Sequence, residues 1–323
     1  MSKEPINIDT IFNNTKKNLT ASSLKLYNQK LSVLNDKKPI YNFNFLKNSN
    51  VIEDKIKDLK PTTKRSYYIA IVSLLKCLVE QNPSKSLYKT LYTTYYAKLM
   101  LLNGDLKTTN EKSESEEKNW IDQKEVLEKQ KELEDILGEI KKKKILSKIQ
   151  YDKLLDLILL SLYTLQKPRR NLDYLNMIVK KKLTDDGIEE IQKQKVNVLD
   201  LANKRFVFTN YKTAGTYKVQ EVKLSDELMK LINIYLKYHP SRKLFTNYQF
   251  LVDYEGNSFK SSTRITKILN KIFGKKISSS MLRKIYLTDK YSNLKDELAS
   301  DVEAMGTSSQ TANNHNIKED VIN

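Results

Sequence analysis

The chain of 323 residues has one cysteine, Cys77. An intramolecular disulfide is therefore excluded, and a reducing compartment is expected. Two histidines beside that single thiol are too few for a structural zinc site. Seven glycines and six prolines leave regular structure with few interruptions. With abundant Leu, Lys and Glu, that scarcity predicts a mostly helical protein. No apolar run approaches the ~20 residues of a membrane span. The first residues lack the basic stretch and apolar core of a secretory leader, so an intracellular protein is expected, with no membrane partner.

What is plentiful is positive charge. Lys and Arg number 57 against 39 Asp and Glu, a formal net charge of +18. Such an excess favours a polyanionic partner, nucleic acid or an anionic membrane surface. Lysine enrichment of the kind seen in AT-rich genomes also raises the charge. The placement of the arginines decides for nucleic acid.

Apolar spacing organises the chain into two halves. Residues 1–17 are polar and read as frayed. Leu24, Tyr27, Leu31 and Leu34 share one helical face. Further helices are predicted from about Asn50 to Leu59, after the Pro61-Thr62-Thr63 break, and from Lys85 to Leu102. Residues 1–105 thus form a small helical bundle. Residues 106–146 read as a charged linker followed by a charged amphipathic helix, solvated on most faces, that carries Val126, Leu133, Ile136 and Ile140. Its lysines Lys141 to Lys144 read first as a solvated run and second as a phosphate contact. Residues 147–323 read as a compact mixed domain. A buried helix leads into Pro168. Phe206-Val207-Phe208 and residues 218–222 make a hairpin turned at Ala214-Gly215. Ser225 caps the next helix. Helices follow over 262–273, 279–291 and 294–305.

Four short segments carry the candidate chemistry: Pro168 to Asp173, Tyr211-Lys212-Thr213, Ser280-Met281-Leu282-Arg283 and Met305-Gly306-Thr307-Ser308. In order they supply an arginine, a lysine, a second arginine and a polar residue after glycine, a cationic set suited to one phosphodiester. Bidentate arginines match the non-bridging oxygens of a pentacoordinate phosphorane. Arg170 and Arg283 are the candidates. Arg169 is the alternate first arginine, since helical neighbours point about 100° apart and only one can face the site. Asp173, three residues beyond Arg170, favours Arg170. Lys212, on the hairpin rim, could protonate a leaving 5′-oxygen or simply be solvated. Ser280 reads equally as a phosphate donor and as a helix cap among Ser278, Ser279 and Ser280.

Together these segments resemble the tyrosine recombinase (phage-integrase-like) family. Arg170 to Asp173 is similar to its Arg-x-x-Glu/Asp segment, Leu282-Arg283 to the end of its His-x-x-Arg box, and residues 305–308 to its Leu-Gly-His-Ser box. The resemblance covers roughly residues 147–318, and the helical half resembles the family's core-binding, DNA-clamping domain. It implies a DNA breaking-rejoining fold: mainly α, with a mixed α+β catalytic domain holding a small hairpin or sheet. It implies site-specific recombination or integration on double-stranded DNA through a 3′-phosphotyrosyl intermediate, without metal or cofactor, by a tetramer assembled on DNA. Catalytic roles would fall to Arg170, Lys212, Ser280, Arg283 and Thr307. The Lys- and Asn-rich, divergent character suggests a viral or mobile-element member, acting in nucleus, cytoplasm or viral factory. Three departures stand out: Ser280 and Thr307 replace the family's histidine and its histidine or tryptophan, and Asn316 occupies the nucleophile position. An amide cannot form the phosphotyrosyl link. The other readings are an inactive DNA-binding derivative of a recombinase and a type IB topoisomerase-like enzyme.

Overall fold

The computed structural model describes residues 4–16, 19–106, 112–243 and 247–304. It divides into two compact units, Met1–Glu111 and Lys112–Asn323. The chain is mostly helical with one small mixed sheet, and no helix among the described residues is long and apolar enough to cross a membrane.

The first unit is all helical. It contains α1 (Ile8–Thr15), α2 (Ala21–Leu34), α3 (Ser49–Ile56), α4 (Pro61–Gln81) and α5 (Ser86–Asp105). Pro61 opens α4 at a position where a missing N–H costs nothing. Ile71, Leu74, Leu75, Cys77 and Leu78 of α4 are buried against α2 and α5. Cys77 is fully covered and behaves as a small apolar side chain. The expectation of a frayed start fails at α1. Asn7 caps that helix and Phe12 is wholly buried. Gln81 of α4 donates to Ile11 O at 2.7 Å, which ties α1 down. Two apolar residues sufficed where longer periodicity was sought.

The second unit begins with α6 (Glu114–Asn119), α7 (Gln123–Ile140), α8 (Lys148–Thr164) and α9 (Asn171–Leu175). The charged amphipathic helix expected after the linker is α7, and one face of it is buried. Val126, Ile136 and Ile140 are buried in the same core as α8, and Gln130 donates to Ser161 Oγ at 2.9 Å. A third of the α7 circumference is apolar, which is enough to seat it although its mean composition is charged. There follow β1 (Met177–Lys180), α10 (Asp185–Gln194), β2 (Asn197–Asp200), β3 (Arg205–Phe208), α11 (Ala214–Tyr217), β4 (Gln220–Lys223), α12 (Asp226–Lys237), β5 (Tyr248–Gln249), α13 (Ser262–Phe273) and α14 (Ser279–Ala304).

The five strands lie in the order β4-β3-β2-β1-β5. β1 and β2 are parallel, joined through α10, and the other pairings are antiparallel. Alternation along each strand sorts the core. Met177, Val179, Leu199, Phe206 and Phe208 face the main core with α8 and α12. Val198 and Val207 face the other way, onto Leu183 and Ile191 of α10. The expected hairpin exists as β3–β4, in register from Arg205↔Lys223 to Phe208↔Gln220. Its connection is not a tight turn at Ala214-Gly215 but a long loop, residues 209–219, containing the single-turn α11. Ser225 caps α12, as its position before Asp226-Glu227 suggests. The two helices expected over 279–291 and 294–305 are one continuous helix, α14, because no glycine or proline between them supplies a break.

Candidate phosphate-binding site

Lys167-Pro168 stops the chain from continuing as helix after α8, since the residue before proline is pushed towards extended backbone. Arg170 is extended, at φ −77° and ψ 149°, and forms the N-cap of α9. The rotation of about 100° expected between helical neighbours therefore does not apply to Arg169 and Arg170. In extended chain, successive side chains face opposite ways.

That geometry corrects the pairing expected from the sequence. Asp173 orients Arg169, not Arg170: Arg169 Nε donates to Asp173 Oδ2 at 2.8 Å. Arg169 Nη1 donates to Gln220 Oε1 at 2.9 Å. The Arg169 guanidinium also lies 3.8 Å from the Phe208 ring centre and 5.1 Å from that of Tyr211. With its hydrogen bonds and its flat face committed, Arg169 is unsuited to clamp a ligand.

Arg170 and Arg283 are the available cations. Both are half-buried. Neither has a hydrogen-bond or ion-pair partner among the described residues. Burial, then the charge of Arg170, lowers the Arg283 guanidinium from its ordinary value, and Asp173 partly offsets this. Burial pushes the Asp173 carboxyl up, against the pull of Arg169, Arg170 and Arg283. The Asp173 carboxylate is 3% exposed and feels the charge of all three arginines. One of its oxygens is taken by Arg169. The other, Oδ1, is buried and has no partner among the described residues. One carboxylate cannot neutralise three guanidiniums, so a net positive charge remains.

Arg283 is placed by α14, whose first turns bury Met281, Leu282 and Ile285 in the main core. Ser278 Oγ accepts from Met281 N at 3.3 Å, and Ser278 is therefore the capping serine. Ser280, the sequence candidate, is exposed and free of that role. It shares the Arg283 side of the helix by its spacing.

Lys212 lies in the loop 209–219 and is exposed. Its loop is anchored to the arginine segment. Asn197, fully buried, donates from Nδ2 to Asp173 O at 2.7 Å and to Asn210 O at 3.0 Å. Its Oδ1 accepts from Thr209 N and Asn210 N, each at 2.9 Å. Tyr211 Oη donates to Lys218 O at 2.8 Å across the loop.

Asn197 and Gln220 were invisible to motif reading: each is a lone amide in a short strand, and its partners are brought to it only by the fold. A polar residue in a run of buried strand positions was the one available signal. Thr307 and Asn316 lie outside the described residues. Comparison with known protein families and with curated proteins finds no matching family model and no matching protein.

Proposed function

We propose that this chain binds double-stranded DNA and grips one backbone phosphodiester with Arg170 and Arg283, in the manner of a tyrosine recombinase. The observation that carries the reading is two half-buried arginines, Arg170 and Arg283, with no carboxylate bound to either among the described residues; the charge of Arg170 also lowers the Arg283 guanidinium. Like charges gathered in partly desolvated surroundings repel, and an anion between them turns that repulsion into attraction. A phosphodiester presents two non-bridging oxygens that match two guanidinium forks. The net charge of +18 supplies long-range attraction to the same polyanion.

In this reading the second unit is a DNA breaking-rejoining domain and the helical first unit is its DNA-binding companion, with protomers assembling on DNA. A tyrosine at position 316 would attack phosphorus through its phenolic oxygen and release its proton to water. The bond to the 5′-oxygen would break, Lys212 would give that oxygen a proton, and a 3′-phosphotyrosyl link would remain. Arg170 and Arg283 would stabilise the phosphorane charge, and Ser280 and Thr307 would donate hydrogen bonds. With Asn316 in the chain, the step lacks its nucleophile. The function is then DNA binding on a recombinase framework, without strand cleavage.

The test is titration of a short labelled duplex against the full chain at several salt concentrations. Affinity should fall steeply with salt, and the Arg170→Ala/Arg283→Ala double variant should bind more weakly with a shallower slope. A flat salt dependence, or a double variant equal to wild type, would reject the proposal.

A further inference from the structure

Arg169 joins parts of the second unit that the chain keeps far apart. Asp173 belongs to α9, immediately after Arg170. Phe208 ends β3, Tyr211 stands beside Lys212, and Gln220 opens β4. The guanidinium spans all of them, through bonds of 2.8 Å to Asp173 and 2.9 Å to Gln220 and through contact with both rings. It therefore reaches from the segment that carries Arg170 to both ends of the loop that carries Lys212.

We infer that Arg169 is a positioning residue, which fixes the Lys212 loop against the Arg170 segment so that lysine and arginine address the same phosphodiester. The inference rests on the reading of the site as a DNA-phosphate clamp. A simple buried ion pair would be complete with Asp173 alone; it would need neither the Gln220 amide nor two aromatic faces. Among the described residues one other side chain hydrogen-bonds the loop to α9, the Asn197 amide, and it holds only the loop's first residues, Thr209 and Asn210. At the far end, no other hydrogen bond among the described residues joins Gln220 to the α9 segment. Without Arg169 the loop keeps its internal brace from Tyr211 to Lys218 and its paired ends in β3 and β4, but loses the bridge from Gln220 to the α9 segment. Arginine is required for this work. Its planar fork donates in two directions while its face stacks, whereas a lysine ammonium is a point charge that can satisfy Asp173 but not Gln220 and Phe208 together.

The experiment compares wild type, Arg169→Lys and Gln220→Ala as full chains. Gln220→Ala leaves the Arg169–Asp173 pair in place, so it reports on the span even if Arg169→Lys does not fold. Amide hydrogen exchange of the free proteins is measured first. Peptides covering 211–218 should exchange about tenfold faster or more in both variants, while α8 and α12 stay unchanged. Acetylation of Lys212 by an amine-reactive reagent is then followed by mass spectrometry, with and without a short duplex. DNA should shield Lys212 in wild type, and the shielding should be lost at Lys212 in both variants while binding itself persists. Unchanged exchange over 211–218 in every folded variant would overturn the inference, as would Lys212 shielding that survives both substitutions. A wild-type chain that binds no DNA would defeat the clamp reading instead, and the exchange result would still decide whether Arg169 braces the loop.

Discussion

The Asp173 carboxylate accepts from Arg169 Nε at 2.8 Å but from no guanidinium nitrogen of Arg170, the residue after Arg169; Arg170 meets Asp173 only through the backbone, its carbonyl accepting from Asp173 N at 2.9 Å. The two neighbouring arginines thus have opposite fates. One is locked into the fold by a carboxylate, an amide and two rings. The other is left for a ligand.

Replacing the ligand arginines should therefore act on binding rather than folding. Arg170→Ala and Arg283→Ala should each weaken duplex binding by about 1.5–3 kcal/mol, the usual worth of a charged hydrogen bond. Each should flatten the log–log salt slope by about 0.9. Thermal stability should hold or rise, because either change removes the repulsion that lowers the Arg283 guanidinium. Fluorescence anisotropy and a melting curve on the same samples check both parts. Arg169→Ala should show the reverse pattern, with stability falling because a buried carboxylate loses the ion-pair partner it has among the described residues.

Asn316→Tyr should restore a covalent step. With a nicked suicide substrate carrying a site the protein binds, the tyrosine variant should give a protein–DNA adduct on a denaturing gel, and the unaltered chain should give none. An adduct from the unaltered chain would assign the nucleophile to another residue. Absence of an adduct from the variant on bound substrate would leave DNA binding as the whole function.

Asn197→Leu should destabilise the second unit by about 3–5 kcal/mol, since it orphans buried backbone groups of Asp173, Thr209 and Asn210 at once. Urea unfolding measures the loss. Faster exchange over residues 209 and 210 should accompany it.

His239 gives the second unit a pH dependence. The ring is 4% exposed, packed against Tyr235 and Tyr248, and its Nδ1 accepts from Ser241 N at 3.1 Å. Burial holds its pKa down at about 4, below the ordinary 6.5. The unfolded chain therefore binds the proton first as pH falls. The neutral ring's contribution is whole above pH 6.5 and is lost progressively towards pH 4, up to about 3 kcal/mol in all. His239→Asn keeps an acceptor for Ser241 but cannot titrate. Over that window its stability should fall less than that of wild type, by urea unfolding at matched pH.

Most helices were legible because apolar residues recur at helical spacing over many turns, as in α4 and α8. The hairpin strands were legible from alternation around Phe206 and Phe208. The parallel pair β1–β2 was not, because four residues such as Met177 to Lys180 are too few to separate strand from helix by periodicity. Of the candidate site, local sequence could supply residue types only. Its wiring was not legible, since assigning Asp173 to Arg170 assumed helix where Arg170 is the extended N-cap of α9. The bond from Arg169 to Gln220 joins the hairpin to a segment 51 residues earlier, which no local pattern announces.

Strand β1 closes two pairings of very different reach. Towards β2 it pairs Val179 with Leu199, a short excursion through α10; towards β5 it pairs Val179 with Tyr248, across the whole stretch from β2 to α12. Closing the longer loop costs more chain entropy and is rewarded by only a two-residue strand. The β2–β3–β4 meander, which carries the Lys212 loop, can thus form before the sheet is complete. The β5 edge should join late in folding and open early in unfolding, so the side of the sheet that bears the candidate chemistry is also the side that matures first.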